Sequence, residues 1–358
     1  MKKIFALLLV LFTIFLSQSP MVIEAQPNET QLDQELHATD RIYLPLINKT
    51  DRPPRERTIL RNYYIEDPVL LFNLGCKTGQ YAAGDSRAQS YFLYLQFYRA
   101  LRDANAIYGA SDYRSVFWSL SDISNHIIQI ANGFVSCNQN DTLYISTGVT
   151  SYGLQSETFA FDHGFQWAQM INETSNILYY QGMLGRVFAI GGANIEPNFN
   201  TKAITNQWLD GYEGFPIPHL IYIAASADGC PNNWPPLEEG SYYPSNCSNG
   251  WTQKDLADLF VIRHLTRVFP EIYRTDGYNA SQWYRIALFS YYHSRAKIPF
   301  FVTLTQSAAC EQRGGCPGAD NQPEVGYGQL YQLLESDIER MANYLNWASD
   351  IKWYSGTP

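Results

Sequence analysis

The chain has 358 residues and a formal net charge of −9 at neutral pH, with 34 acidic against 25 basic side chains. That deficit of cations argues against nucleic acid as a partner, because binding a polyphosphate backbone calls for a basic face. With 46% hydrophobic and 15% aromatic residues there is material for a large core, and the length suits two small domains or one large α/β barrel.

Residues 1–25 carry Lys2 and Lys3, then an apolar stretch from Ile4 to Leu16, then a candidate cut after Ala25. This is the three-part pattern of a secretory signal, and the apolar stretch is short for a bilayer span. The expectation is a secreted or cell-surface protein with no membrane span left after cleavage. Residues 26–65 read as a flexible segment, polar as far as Thr39, with an apolar island at Ile42–Ile47 and a charged, Pro-rich stretch at Asp51–Arg57. The folded domain is expected over 66–358.

The cysteines are Cys76, Cys137, Cys230, Cys247, Cys310 and Cys316. Outside the cell an even number suggests bridges, and closeness along the chain favours Cys230–Cys247 and Cys310–Cys316, leaving Cys76–Cys137. Zinc binding is the rival reading, but no CxxC or His-x-x-x-His spacing accompanies them. No metal and no other cofactor is expected.

From residue 66 onward short apolar runs alternate with longer amphipathic ones. The runs that read as strands are Val69–Leu74, Ser115–Leu120, Leu143–Thr147, Val187–Ala193, Leu220–Ala225, Val268–Tyr273, Pro299–Leu304 and Ile351–Tyr354. Helices are predicted at Arg87–Ile107, Ser121–Phe134, His163–Met183 with a break near Asn172, Thr201–Leu209, Gln253–Leu265, Ser281–Ser294 and Tyr327–Asn346. Eight strands alternating with helices point to a (β/α)₈ TIM barrel of the α/β class. An open doubly wound sheet is the alternative, but Ile351–Tyr354 falls where a barrel needs its closing strand.

In such barrels the loops at the C-terminal ends of the strands carry the chemistry. The residues that follow the strand candidates include Asn73, Asp162 with His163, Asn194 with Glu196, Asp228, Tyr273 with Asp276, Gln306 and Trp353. Val187–Ala193 is a buried run that ends in Asn194-Ile195-Glu196-Pro197, delivering a carboxylate at a strand tip. Glu196, Asp228 and Asp276 are the candidate catalytic carboxyl groups, since glycosidic cleavage needs an acid for the leaving oxygen and a second group to support the cationic centre. Asn73, His163, Asn194, Tyr273, Gln306 and Trp353 are the candidate substrate contacts; for His163 a simple helix-start role competes. Glu196 itself could instead cap the next segment or sit in solvent.

Asn194-Ile195-Glu196 resembles the Asp-x-Glu signature of glycoside-hydrolase barrels related to the family-25 muramidases, and the resemblance implies Glu196 as the acid. The chain is also similar to a group of exported bacterial proteins with an Ile-Glu-Pro turn, a Trp-x-x-Gly-Tyr segment (Trp208–Tyr212) and a Ser-Ala-Asp-Gly-Cys loop (Ser226–Cys230). It departs from the signature at Asn194, where the family has Asp, which would impair the chemistry or shift it to Asp228 or Asp276. Neither a Gly-x-Ser-x-Gly motif nor a phosphate loop is present, so ester hydrolysis and nucleotide chemistry fall away. The expected function is hydrolysis of a cell-wall or extracellular polysaccharide, peptidoglycan-like among them. The alternative is a non-catalytic barrel that binds glycan at the cell surface.

Overall fold

The structure is a computed structural model that describes residues 58–84, 90–183, 185–232, 245–336, 345 and 347–355. The expected signal over 1–25 and most of the expected flexible segment lie outside the described residues. Eight parallel strands form the barrel: β1 (Thr58–Ile65), β2 (Ser90–Arg102), β5 (Thr142–Thr150), β6 (Val187–Ile195), β7 (Ile221–Ala225), β8 (Thr266–Pro270), β9 (Val302–Thr305) and β10 (Trp347–Tyr354). Their order runs β9-β10-β1-β2-β5-β6-β7-β8, and single parallel bridges, Val268 to Phe300 and Glu271 to Leu304, bring β8 back to the β9 side. A short antiparallel hairpin, β3 (Tyr108–Ser111) and β4 (Phe117–Ser119), extends from β2.

Helices α1 (Leu71–Gly84), α2 (Leu120–Cys137), α3 (Glu157–Tyr180), α4 (Lys202–Glu213), α5 (Gln253–Val261) and α6 (Tyr278–Ser294) fill the crossovers, with α7 (Ser307–Gln312) and α8 (Pro323–Glu335) before the last strand. Side-chain caps start four of them. Ser119 and Thr252 form capping boxes with Asp122 and Asp255, and Ser156 and Thr201 each accept one backbone N–H.

Two of the predicted strands are corrected. Val69–Leu74 mostly forms the first turn of α1, entered through Leu70 at φ 67°, and the strand before it is Thr58–Ile65. The barrel therefore begins before residue 66, and charged flanks had hidden that strand in the expected flexible segment. Ser115–Leu120 contributes only a hairpin strand and the cap of α2. The predicted helix Arg87–Ile107 holds β2, buried without interruption from Tyr91 to Phe97 because the barrel covers one face and helices cover the other. A run of that kind has no period of two to betray it. Helix α3 runs through Asn172 unbroken, with Thr174 returning its hydroxyl to the Met170 carbonyl.

The barrel interior is filled by rings. Phe92 of β2 lies 4.8 Å from Tyr222 of β7, 5.7 Å from Phe269 of β8 and 5.9 Å from Phe301 beside β9, so side chains from distant strands meet on the axis. A second, larger apolar layer lies between strands and helices. All three expected disulfides form: Cys76–Cys137, Cys230–Cys247 and Cys310–Cys316. Among the described residues no helix is long and apolar enough to cross a membrane, and no cluster of His, Cys, Asp and Glu could hold a metal ion.

Candidate active site

Strand alternation decides what reaches the mouth of the barrel. Ile190 of β6 belongs to the interior cluster, and counting on in twos brings Gly192, Asn194 and then Glu196 to the same side. The same count leads from Tyr222 and Ala224 of β7 to Ser226 and Asp228, and from Phe269 of β8 to Glu271 and Tyr273. Three neighbouring strands thus each deliver a carboxyl group just past their last interior ring.

The three groups lie near enough for their charges to act on one another. Burial, then the charge of Asp228, pushes Glu196 up to about 8, against a hydrogen bond that Asn194 Nδ2 donates to Glu196 Oε1 at 3.0 Å. Glu271, 3% exposed, is held well above the carboxylate range by burial and by the charges of Glu196 and Asp228, partly offset by the Tyr273 hydroxyl. Among the described residues, none of the charges acting on either glutamate is positive. Like charges in a dry site cannot all ionise, so protons are retained at neutral pH.

The loops that hold these groups are cross-braced. Ser226 Oγ donates to Asp228 Oδ2 at 2.7 Å, and the Ser248 amide donates to the Asp228 carbonyl at 3.0 Å. Cys230–Cys247 staples that loop, from which Asn249 Nδ2 donates to the Pro197 carbonyl at 2.8 Å and Trp251 Nε1 to that of Asn200 at 2.8 Å. The stapled β7 loop therefore anchors the turn that follows Glu196.

Opposite stands an aromatic wall. Trp353 of β10 lies 4.9 Å from Tyr64 of β1 and 5.1 Å from Tyr113, and the Tyr64 and Tyr273 hydroxyls are 3.4 Å apart. The Arg313 guanidinium sits 4.4 Å from the Trp353 ring and pairs with Glu66 at 2.9 Å. Arg313 belongs to the small loop closed by Cys310–Cys316. Replacing both of those cysteines by serine is expected to cost about 2 kcal/mol, against about 4 kcal/mol for Cys76 with Cys137, because the spans are 6 and 61 residues. Urea midpoints of the two double mutants check the ratio; the reverse order would show that chain entropy does not govern these bridges.

No family model matches the chain, and no curated protein matches it. The solved structures that match the chain include two glycoside hydrolases. One, described as a glycoside hydrolase, gives a TM-score of 0.39 at 9% identity over 82% of this chain and 61% of that one. The other is a GH18 chitinase from Pseudoalteromonas aurantia, at TM-score 0.40 and 12% identity over 84% of this chain and 96% of that one. The chain thus spans less than two thirds of the first.

Of the expected site residues, the structure brings Glu196, Asp228, Asn194, Tyr273 and Trp353 to the mouth. Asp276 is not with them: it is exposed and pairs with Arg274, whose Nε lies 3.1 Å away. The carboxyl group that β8 contributes is Glu271. The expected strand Val268–Tyr273 runs past the true end at Pro270, and so counts Glu271 as part of the strand rather than as a residue of the loop beyond it. Counting in twos from Phe269 would have found it.

His163 is corrected as well. It is fully buried in α3, accepts from Trp208 Nε1 at Nδ1 (2.9 Å) and faces the Gly109 carbonyl at Nε2 (2.9 Å), which fixes the proton on Nε2. Burial drops it to about 4, so it is a neutral tie between helix and hairpin. Asn73 is exposed in the first turn of α1, and Gln306 caps the Cys310 loop by donating to the Ala319 carbonyl at 3.2 Å. Tyr64 and Tyr113 escaped notice because one lay in the expected flexible segment and the other in a hairpin.

Proposed function

We propose that the chain is an exported glycoside hydrolase that cleaves a cell-wall or other extracellular polysaccharide, with Glu196 as the general acid. The observation that carries this reading is a glutamate kept protonated at neutral pH on a barrel-strand tip, beside Asp228 and across from an aromatic wall. Glu196 hands its proton to the glycosidic oxygen as the bond to the anomeric carbon breaks, and the bonding electrons stay with that oxygen. Asp228 supports the positive charge that develops; water then bonds to the anomeric carbon and passes its proton back to the Glu196 carboxylate, which restores the acid. Rings of Tyr64, Tyr113 and Trp353 offer flat apolar faces suited to sugar rings. Three disulfides and the signal-like start of the chain support export.

The test is release of reducing ends from purified peptidoglycan and soluble oligosaccharides between about pH 5 and pH 9. An acid that titrates at about 8 predicts a rate that falls as pH rises through that value. A rate still climbing above pH 8, or no release from any substrate, would oppose it.

Asn194 favours a second reading, glycan binding without cleavage. It places a neutral amide beside the acid where the resembling family has aspartate, and its Nδ2 occupies one oxygen of Glu196. Asn194→Asp separates the two: a clear gain of hydrolysis from an inactive parent would identify a binding protein that had lost its chemistry. Equal or lower activity from an active parent supports the enzyme.

A further inference from the structure

The aromatic wall continues past the rings already named. Tyr113 stacks on Tyr98 of β2 with ring centres 5.0 Å apart, Tyr98 stacks on Tyr152 at 5.5 Å, and Tyr152 meets Phe199 edge-on at 5.6 Å. The Phe199 amide donates to the Glu196 carbonyl at 2.9 Å, so the row of rings runs from Trp353 to the turn that follows the acid. A cation stands in that row. The Arg99 guanidinium lies 4.8 Å from the ring centres of both Tyr98 and Tyr152. The register of β2 on β5 shifts between Phe97 and Arg99, an irregularity of the kind that re-aims side chains beside active sites.

Arg99 differs from Arg114, Arg274 and Arg313, which stand in loops beyond the C-terminal ends of the strands. Each of those three pairs with a carboxylate, of Asp67, Asp276 and Glu66. Among the described residues Arg99 has no carboxylate partner. Its Nη2 donates to the Tyr98 hydroxyl at 3.5 Å, and its buried Nε donates to nothing. The flanking ring faces attract the cation, but they accept none of the N–H groups that lie in the guanidinium plane. An ionised, partly buried group with unused donors is costly to hold, and such donors normally have an acceptor. The acceptor that fits a planar fork of N–H groups is a planar anion with two oxygens. Arg99 is not among the groups whose charge acts on Glu196 or Glu271, so an anion seated there lies apart from the carboxyl cluster, further along the row of rings.

We propose that Arg99 forms a subsite for a carboxylate carried by the substrate, so that the glycan taken by this site is an acidic one, built with uronic acids. The inference rests on the reading of the mouth as a glycan site, and names the class of glycan. Arg99 is then a specificity residue that touches the substrate away from the bond that breaks. Its free N–H groups donate to the carboxylate oxygens, while Tyr98 and Tyr152 hold the guanidinium in place. A methyl ester of the same sugar keeps the shape without the charge, and a neutral hexose offers a hydroxyl in its place. Neither answers the fork.

The experiment is calorimetric titration of the full chain at pH 7 and about 0.15 M salt, where distant surface charge is screened. Two series of (1→4)-linked tetramers are compared, one α-linked and one β-linked, each as the uronic acid, as its methyl ester and as the neutral hexose. The acid is expected to bind at least roughly tenfold more tightly than the ester or the hexose of its series, as a charge-assisted hydrogen bond implies. Arg99→Met keeps an apolar stem over the rings and removes the charge, and is expected to bring acid and ester within about twofold of each other. Arg99→Lys keeps a charge without the fork, and is expected to lower the preference by about threefold or more. A merely structural role for Arg99 would weaken acid and ester together and leave their ratio unchanged in both variants, which overturns the proposal. Equal or tighter binding of the ester or the hexose by the parent chain, or no binding in either series, overturns it whether or not the variants fold. Hydrolysis is scored separately: cleavage without the preference refutes this inference and keeps the enzyme, whereas the preference without cleavage keeps the inference and refutes the enzyme.

Discussion

Glu196→Gln is expected to lower hydrolysis by about 10²- to 10⁴-fold, the range a positioned acid contributes, and at the same time to make the protein more stable at pH 8. Glutamine keeps the shape and can still pair with Asn194, so the fold has no reason to fail. The stability gain follows from linkage. Glu196 titrates at 4.5 in an ordinary setting and at about 8 in the fold, so the folded state holds a proton that the unfolded chain gives up between those values. Stability from this group is complete below about pH 4.5, declines as pH rises, and is lost by about pH 8. Glutamine has no proton to lose. The melting temperature of the variant relative to the parent should therefore climb across that window and level off on either side. The gain is of order 1–3 kcal/mol and is shared with Glu271, since the two glutamates respond to one another. Thermal melts at pH 5 and pH 8 check it. A variant less stable than the parent at pH 8 would mean that Glu196 is ionised in the fold, and would remove it as a neutral-pH acid.

Gly164→Ala should cost about 3 kcal/mol or more, a large loss for a single methyl group. Gly164 of α3 and Gly211 of α4 let the two helices touch backbone to backbone. A Cβ at Gly164 would lie 1.9 Å from the Trp208 carbonyl oxygen, and one at Gly211 would lie 2.0 Å from that of Phe161. Neither obstacle is a flexible side chain, so the helices must separate, and overpacking that moves backbone is costly. Separation would also pull Trp208 from His163 and loosen the tie from His163 to the Gly109 carbonyl. Gly328 of α8 is the internal control. A Cβ there meets nothing within 4 Å, so Gly328→Ala should stabilise by about 0.5–1 kcal/mol through a stiffer unfolded chain. Chemical denaturation of both variants tests the pair, and a Gly164→Ala midpoint within error of the parent would refute the close crossing.

What was legible in the chain follows from the range of the interactions involved. The runs that became β5 to β10 announced themselves because each is a short apolar stretch bounded by turn residues, a local property. The disulfides were legible too, because closing short loops needs only closeness in sequence. Strand β2 was not, since being buried on both faces is a property of what surrounds it; Tyr91–Phe97 carries no polar alternation to distinguish strand from buried helix. Strand β1 hid for the opposite reason, with Arg55, Arg57, Arg61 and Glu66 marking as solvent-facing a segment that the barrel places between β10 and β2.

The sequence by itself determined the barrel class, the three cysteine pairs and the carboxylate at the tip of Val187–Ile195, because periodicity, loop length and a Pro-terminated strand act over a few residues. Only the tertiary structure decided which acids meet. Glu271 joins Glu196 and Asp228 because β6, β7 and β8 are neighbours in register, while Asp276, five residues further on, turns outward to Arg274. Only the tertiary structure, likewise, made His163 a neutral strut and drew Tyr64 and Trp353, from the two ends of the described chain, into one wall. Burial and the field of neighbouring charges set the protonation of Glu196, and both are sums over residues that the chain keeps far apart.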